Sequence, residues 1–240
     1  LAVLAFANEA AGEHPPGKGG RLNVRVMDDF GGFDHILAPH AGIARLQILF
    51  AVHDRLFEPS SKTGKPIPRL ALSATPGDDF KRWRVTLRSG IRFSNGEPLN
   101  ADAYVQHFER LLDSEYARRF RAVMGAPLKK VTAPGKLLVE FQFSKPNPGF
   151  RAILGYGGAY VWSLNAPAFM ARDRAHPGLT GKSAGAGPFR IASWEQGARV
   201  VLKRNPNYWD PSAQHLDEIT YHVLDGSKLH DILRRLASGK

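Results

Sequence analysis

The sequence predicts an α/β fold of the mixed α+β kind, and three observations predict it. Short segments with an apolar residue at every second position recur from Arg21 to Leu224, the period of half-buried strands. Between them, Gly42–Glu58 and the run after Asn100 carry apolar residues at helical spacing. The 240 residues are 43% hydrophobic and 23% charged, enough to bury a core and too apolar for a disordered chain.

Leu1–Phe6 is apolar, and Ala5-Phe6-Ala7 followed by Asn8-Glu9 fits a signal-peptidase site. The expectation is a signal remnant over residues 1–7, against the alternative of a short apolar helix start. Residues 8–19, with Pro15-Pro16-Gly17, read as a flexible leader. Arg21–Met27 alternates as a strand, with Leu22, Val24 and Val26 on one face, and Asp28-Asp29-Phe30-Gly31-Gly32 breaks it. Gly42–Glu58 places Leu46, Leu49, Phe50, His53 and Phe57 near helical spacing, which predicts one largely buried helix. Ser60–Gly64 is a turn, and Arg69–Ala74 is a short segment ending at Pro76-Gly77. Trp83–Leu87 alternates with its arginines outward, and Phe93–Gly96 is a turn.

Asn100 is placed to cap a helix, with Asp102 in its first turn and Tyr104, Phe108 and Leu111 as its apolar stripe. Leu128–Phe143 reads as a hairpin turning at Ala133-Pro134-Gly135, with Val139, Phe141 and Phe143 on one face. A short helix is expected near Ala166–Arg172. Phe189–Trp194 and Arg199–Lys203 form a second hairpin about Glu195-Gln196-Gly197, and Glu218–Leu224 is a strand. Ser227 caps a final helix, Lys228–Ser238.

The chemistry is mostly exclusion. There is no cysteine, hence no disulfide, thiolate metal site, thiol nucleophile or lipid-modified cysteine. The nine histidines show no zinc spacing, and there is no nucleophile elbow; Ser163 and Ser183 have no evident base partner. Asp28-Asp29 and Asp78-Asp79 lie in turn-like stretches. Gly185-Ala186-Gly187 resembles a phosphate loop, but Pro188-Phe189 stands where Lys and Ser/Thr would have to follow, and a strand follows instead of a helix. Its glycines are expected to bend the backbone into that strand. The net charge of +11 suits an anionic partner or a basic surface scattered over several faces; the cations run the length of the chain without a block of five or six.

Five blocks in order resemble the extracellular solute-binding proteins of peptide-type ABC importers, which include nickel-binding members. They are Gly19–Val24, the segment Leu56–Ala71, TLRSGIRFSNGEPLNADAYVQHFERLLD (Thr86–Asp113), GAGPFRIASW (Gly185–Trp194) and LKRNPNYWD (Leu202–Asp210). Ala103-Tyr104 departs from the family's usual Asp-Val, and Ala186 from its usual Thr. The resemblance implies lobe I at residues 20–58 and again at 183–240, with a smaller β-rich domain inserted at 59–182. It also implies that the second lobe is absent from this chain, a fragment ending before the crossover, which would bind peptides weakly by itself.

The implied mechanism is capture without catalysis. Two lobes close on a peptide or other small solute and deliver it to an ABC permease of the inner membrane. Pro39, His40, Ala41 and Gly42 would line the cleft, with His40 facing ligand or merely a surface loop. Gly185, Gly187, Pro188, Tyr208 and Trp209 would be structural, the two aromatics as lobe packing. The resemblance implies a periplasmic, secreted monomer that is not lipid-anchored and has no cofactor, no metal and no nucleic-acid partner. A basic nucleic-acid-binding module is the competing class, marked by binding that falls steeply with salt. A hydrolase would need a nucleophile–base pair.

Overall fold

The computed structural model describes residues 17–27, 43–113, 117, 120, 121, 124–156, 163–175, 183–224, 234 and 238. In chain order the elements begin with β1 (Arg21–Val26), α1 (Ile43–Val52), β2 (Phe57–Pro59), β3 (Pro66–Pro68), β4 (Ala71–Pro76) and β5 (Arg82–Leu87). Next come α2 (Ala101–Asp113), β6 (Leu128–Gly135), β7 (Leu138–Phe143), α3 (Phe150–Tyr156) and α4 (Pro167–Ala175). Strands β8 (Phe189–Glu195), β9 (Arg199–Arg204) and β10 (Glu218–Val223) follow, with a single 3-10 turn at Pro211–Ala213 between the last two. The expected signal remnant, most of the leader, the break at 28–32 and nearly all of the final helix lie outside the described residues.

The first sheet has the order β1-β10-β9-β8. β1 runs parallel to β10, from Arg21 opposite Glu218 to Val26 opposite Val223, while the other pairs are antiparallel. Helix α1 covers one face of this sheet, where Ile48 and Val52 meet Val26, Phe189, Ile191, Val200, Leu202, Ile219 and Tyr221. The second sheet, β4-β5-β7-β6, is antiparallel throughout and is built from residues that fall between the first sheet's opening strand and its last three. Its inward face and helices α2 and α3 make the larger core. Phe141, fully buried, meets Phe108 of α2 at 5.2 Å edge-on and Phe150 of α3 at 5.1 Å.

Asn100 accepts the Ala103 N–H at 3.1 Å and so satisfies one of the orphan donors at the start of α2. His107 is buried in that helix with its ring edge-on to Phe108 at 5.3 Å.

Three expectations are corrected. Helix α1 stops at Val52, so Phe57 lies on β2 and not on the helix. After the last helical bond, His53 N–H to Leu49 O, the carbonyls of Arg55 and Leu56 accept from Arg69, Leu70 and Ala71, and strand-like pairing replaces the helix. Phe50 is 42% exposed with the Arg55 guanidinium 4.0 Å above its ring. The β6–β7 turn falls at Lys136-Leu137, after Ala133-Pro134-Gly135. Gly135 pairs with Leu138, and the ladder shifts register between Thr132 and Gly135, where Pro134 has no N–H to offer.

The β4–β5 hairpin turns through Asp78–Lys81, with Asp79 Oδ1 accepting the Lys81 N–H at 2.9 Å. Phe80 sits at its tip with φ +53°. A side chain in that left-handed region costs about 1–2 kcal/mol, and the residue is still 39% exposed.

Asn100→Ala is expected to lower stability by about 1 kcal/mol and Phe141→Ala by roughly 3–5 kcal/mol. Urea unfolding checks both, and equal effects would contradict this placement of cap and core.

Candidate functional site

The chain leaves the first sheet at the end of α1 and returns to it at Ser183, and the two passages lie against each other. The Gly187 N–H donates to the Val52 carbonyl at 2.8 Å. A Cβ at Gly185 would stand 2.2 Å from that same carbonyl oxygen, and one at Gly187 would stand 2.5 Å from the Val52 carbonyl carbon. Only glycine admits this approach. Around the turn, Gly185 O accepts from the Ser94 N–H, Pro188 O from the Asn205 N–H, and Gly187 O from Asn205 Nδ2 at 2.8 Å. Gln214 Nε2 adds a bond to Pro188 O at 2.7 Å. The loop is therefore held by protein on several sides, and its Gly187 and Ala184 amides are already committed, the latter to Asn165 Oδ1.

Beside it, Asp54 gathers donors from three segments. It accepts the Arg55 N–H at 2.8 Å, the Trp209 indole N–H at 2.8 Å and the Tyr208 hydroxyl at 3.2 Å. Arg69 reaches it at 3.5 Å with Nε and Nη2, and donates to the Tyr208 oxygen at 2.6 Å. The guanidiniums of Arg69 and Arg88 lie 5.2 Å and 4.3 Å from the Trp209 ring centre, in cation–π range. Burial, then the Asp54 charge, pushes the Tyr208 hydroxyl above its ordinary pKa, so it remains a donor at neutral pH. Tyr208 and Trp209 thus join a polar clasp. Asp54 and Arg69 had no signal in the sequence beyond their types. The clasp borders a cleft of about 270 Å³ lined also by Phe50, His53, Arg55, Glu58 and Pro188.

Behind the turn, Ser183 has a base neighbour that the sequence did not reveal. Its hydroxyl lies 3.1 Å from His53 Nε2 and donates to Asn165 Oδ1 at 2.7 Å, while His53 Nδ1 lies 3.0 Å from the Leu164 carbonyl. His53 is 4% exposed and Ser183 9%, and Ser183 is not among the residues lining the neighbouring cleft. The pair joins two chain passages within the protein, 130 residues apart in sequence. Burial, only partly offset by the Leu164 carbonyl and helped by nearby His107, lowers the His53 pKa from 6.5 to about 4.

The four residues expected to line a cleft, Pro39, His40, Ala41 and Gly42, lie outside the described residues. The structure brings together Gly185, Gly187, Pro188, Tyr208 and Trp209, all within the junction just described. Among the described residues, no group of three or more His, Asp and Glu is placed to hold a metal ion. No described helix is long and apolar enough to cross a membrane.

Residues 65–231 match the family of bacterial extracellular solute-binding proteins, family 5, middle region. The chain belongs to that family. It is 36% identical over 141 residues to the probable D,D-dipeptide-binding periplasmic protein DdpA of Escherichia coli K12, an alignment covering 58% of this chain and 26% of that one. It is 28% identical over 174 residues to the nickel-binding periplasmic protein of the same strain, covering 70% and 32%. Its fold is similar to that of DppA, an ABC transporter-associated periplasmic binding protein from Helicobacter pylori solved with the peptide STSA, at a TM-score of 0.76 and 21% identity. That superposition covers 93% of this chain and 46% of the other. The chain therefore spans less than half the length of these relatives. The family consists of solute-binding proteins and not of enzymes.

Gly185→Ala is expected to cost about 3 kcal/mol, because the obstacle is backbone. Gly149→Ala, with open space around its Cβ position, should stay within about 0.5 kcal/mol of the parent; equal losses in denaturant would argue against a backbone contact at Val52. His53 favours its neutral form when folded. Its contribution is complete above pH 6.5 and fades as pH falls to about 4, by up to roughly 3 kcal/mol. In His53→Gln that part of the acid destabilisation should vanish, as read from unfolding free energies across this range.

Proposed function

We propose that this chain is part of the substrate-binding component of an ABC importer, capturing peptides or a related small solute in the periplasm for a membrane permease. The observation that carries the reading is the family match over residues 65–231 coinciding with a mixed sheet into which a second sheet is inserted. The relatives' own names support a small polar solute: a D,D-dipeptide, nickel, and the peptide STSA.

In this reading residues 20–58 and 183–240 form lobe I and residues 59–182 the inserted domain. Capture is by closure of lobe I against a second lobe, with no bond made or broken. β1 and β10 are parallel, so their carboxyl ends share one edge of the sheet. Ligands of open α/β sheets bind outside such an edge. Pro39, His40, Ala41 and Gly42 follow β1 and are assigned to the cleft there. Gly185, Gly187, Pro188, Tyr208 and Trp209 hold the junction behind it. Residues 1–7 are read as the end of a secretion signal, and the protein as a monomer.

The test is uptake by cells with and without the gene, using labelled dipeptides, glutathione and nickel in turn. Loss of the gene should reduce uptake of at least one of these about tenfold. Unchanged uptake of all three, together with DNA binding by the purified protein that falls steeply with salt, would replace this reading with a nucleic-acid module.

A further inference from the structure

The excess charge of this protein has an address. Twenty of its 33 Lys and Arg but only nine of its 22 Asp and Glu lie between residues 59 and 182, so that stretch holds the whole +11. The rest of the chain is balanced, thirteen against thirteen. Cations are denser in that stretch than in the rest of the chain, and acids are sparser.

Within the stretch, the second sheet gathers exposed cations at one end. The end is made by three converging loops: the β4–β5 hairpin tip, the exit from β7 and the entry to β6. Backbone bonds fix them together, Phe143 N–H to Lys81 O, Asn147 N–H to Phe80 O and Ser144 N–H to Pro127 O. Arg82, Gln142 and Lys130 lie side by side on adjacent strands. Lys81, Arg82, Lys129, Lys130, Lys145 and Arg151 are exposed there, and none makes an ion pair among the described residues. Asp78 and Asp79 are the acids of the hairpin tip, and Asp79 is engaged in its turn.

At the tip of the β4–β5 hairpin, next to Lys81 and Arg82, stands Phe80, held at φ +53° and 39% exposed, with one side of its ring toward Trp83 at 6.4 Å. Exposed Pro127, Pro146 and Pro148 flank the same loops. A strained backbone that presents an apolar ring among unpaired cations has the chemistry of interfacial membrane contact: charge for anionic headgroups, a ring for the acyl boundary. We infer that this end of the second sheet is a docking surface for an anionic phospholipid membrane. Gln142 of β7 stands between Arg82 of β5 and Lys130 of β6, so these cations lie two strand spacings, about 10 Å, apart, comparable with the Debye length at physiological salt. One exposed aromatic and no interleaved row of rings make a poor stacking platform for a nucleic acid. The surface lies in the inserted segment and shares no residue with the loop assigned to solute, and the inference stands whatever solute the protein carries.

The experiment is co-sedimentation of the 240-residue chain with vesicles of phosphatidylcholine, with and without one-third phosphatidylglycerol, at low and physiological salt. Binding is expected only with the anionic lipid and is expected to weaken with salt. Neutralising Lys81, Lys130 and Lys145 together to Gln should lower partitioning about a hundredfold, near fivefold per cation. The triple variant Arg25→Gln, Arg190→Gln, Lys203→Gln on the first sheet should leave it unchanged. Phe80→Gly should reduce partitioning while unfolding no more easily than the parent, which separates a membrane role from a packing role. Equal binding to neutral vesicles, equal losses in both triple variants, unchanged partitioning of Phe80→Gly, or tighter binding to DNA than to anionic vesicles at matched salt would each overturn the inference.

Discussion

One backbone-to-backbone contact organises this protein. The Val52 carbonyl, at the end of α1, receives the Gly187 amide at 2.8 Å, and no side chain can stand between them. On one side of that contact lies the small core of the first sheet, on the other the larger core of the second. Leu56, Phe57, Ala184 and Ala186 belong to the larger core although they border the contact in sequence, whereas Val52 and Phe189 belong to the smaller. The two cores thus meet where the chain crosses twice, and glycine sets how near the crossings come.

Side chains reinforce the crossing with two polar groups of different character. The Asp54 clasp is partly open to solvent and draws on charge: a carboxylate with a guanidinium and two aromatic donors around it. The His53, Ser183 and Asn165 group is enclosed and uses neutral hydrogen bonds. Enclosure disfavours the charged imidazole, and the same low polarity strengthens each neutral bond within the group. Tyr104, fully buried on α2, has its hydroxyl pushed far above its ordinary pKa by burial and then by the Asp54 charge.

Much of this was legible in the sequence where the signal is local. The alternation in Trp83–Leu87 and Phe189–Trp194 required only neighbours to be read, and the strands are there. Asn100 as a cap was equally local. The end of α1 was not, because apolar spacing continues through Phe57 while the backbone of Arg55 and Leu56 is claimed by residues 69–71. Pro134-Gly135 carried the residue types of a turn, yet register with Leu138 placed the turn two residues later. Ser183 and His53 are brought together only by the tertiary path, so no spacing could announce them. The glycines of Gly185-Ala186-Gly187 were read as a bend, and their tightness came from a helix end that is remote in the chain. Family resemblance supplied the order of the blocks, which physical pattern alone does not assign.

Because the outgoing and returning strands of the junction touch, the stretch between them begins and ends at nearly one point in space. A host sheet interrupted in this way keeps its own path, and the guest can lengthen, shrink or change its surface without pulling on the host. The inserted sheet is in that sense a detachable cassette, free to vary in charge and contour while β1 and β10 keep the register that closes the first sheet.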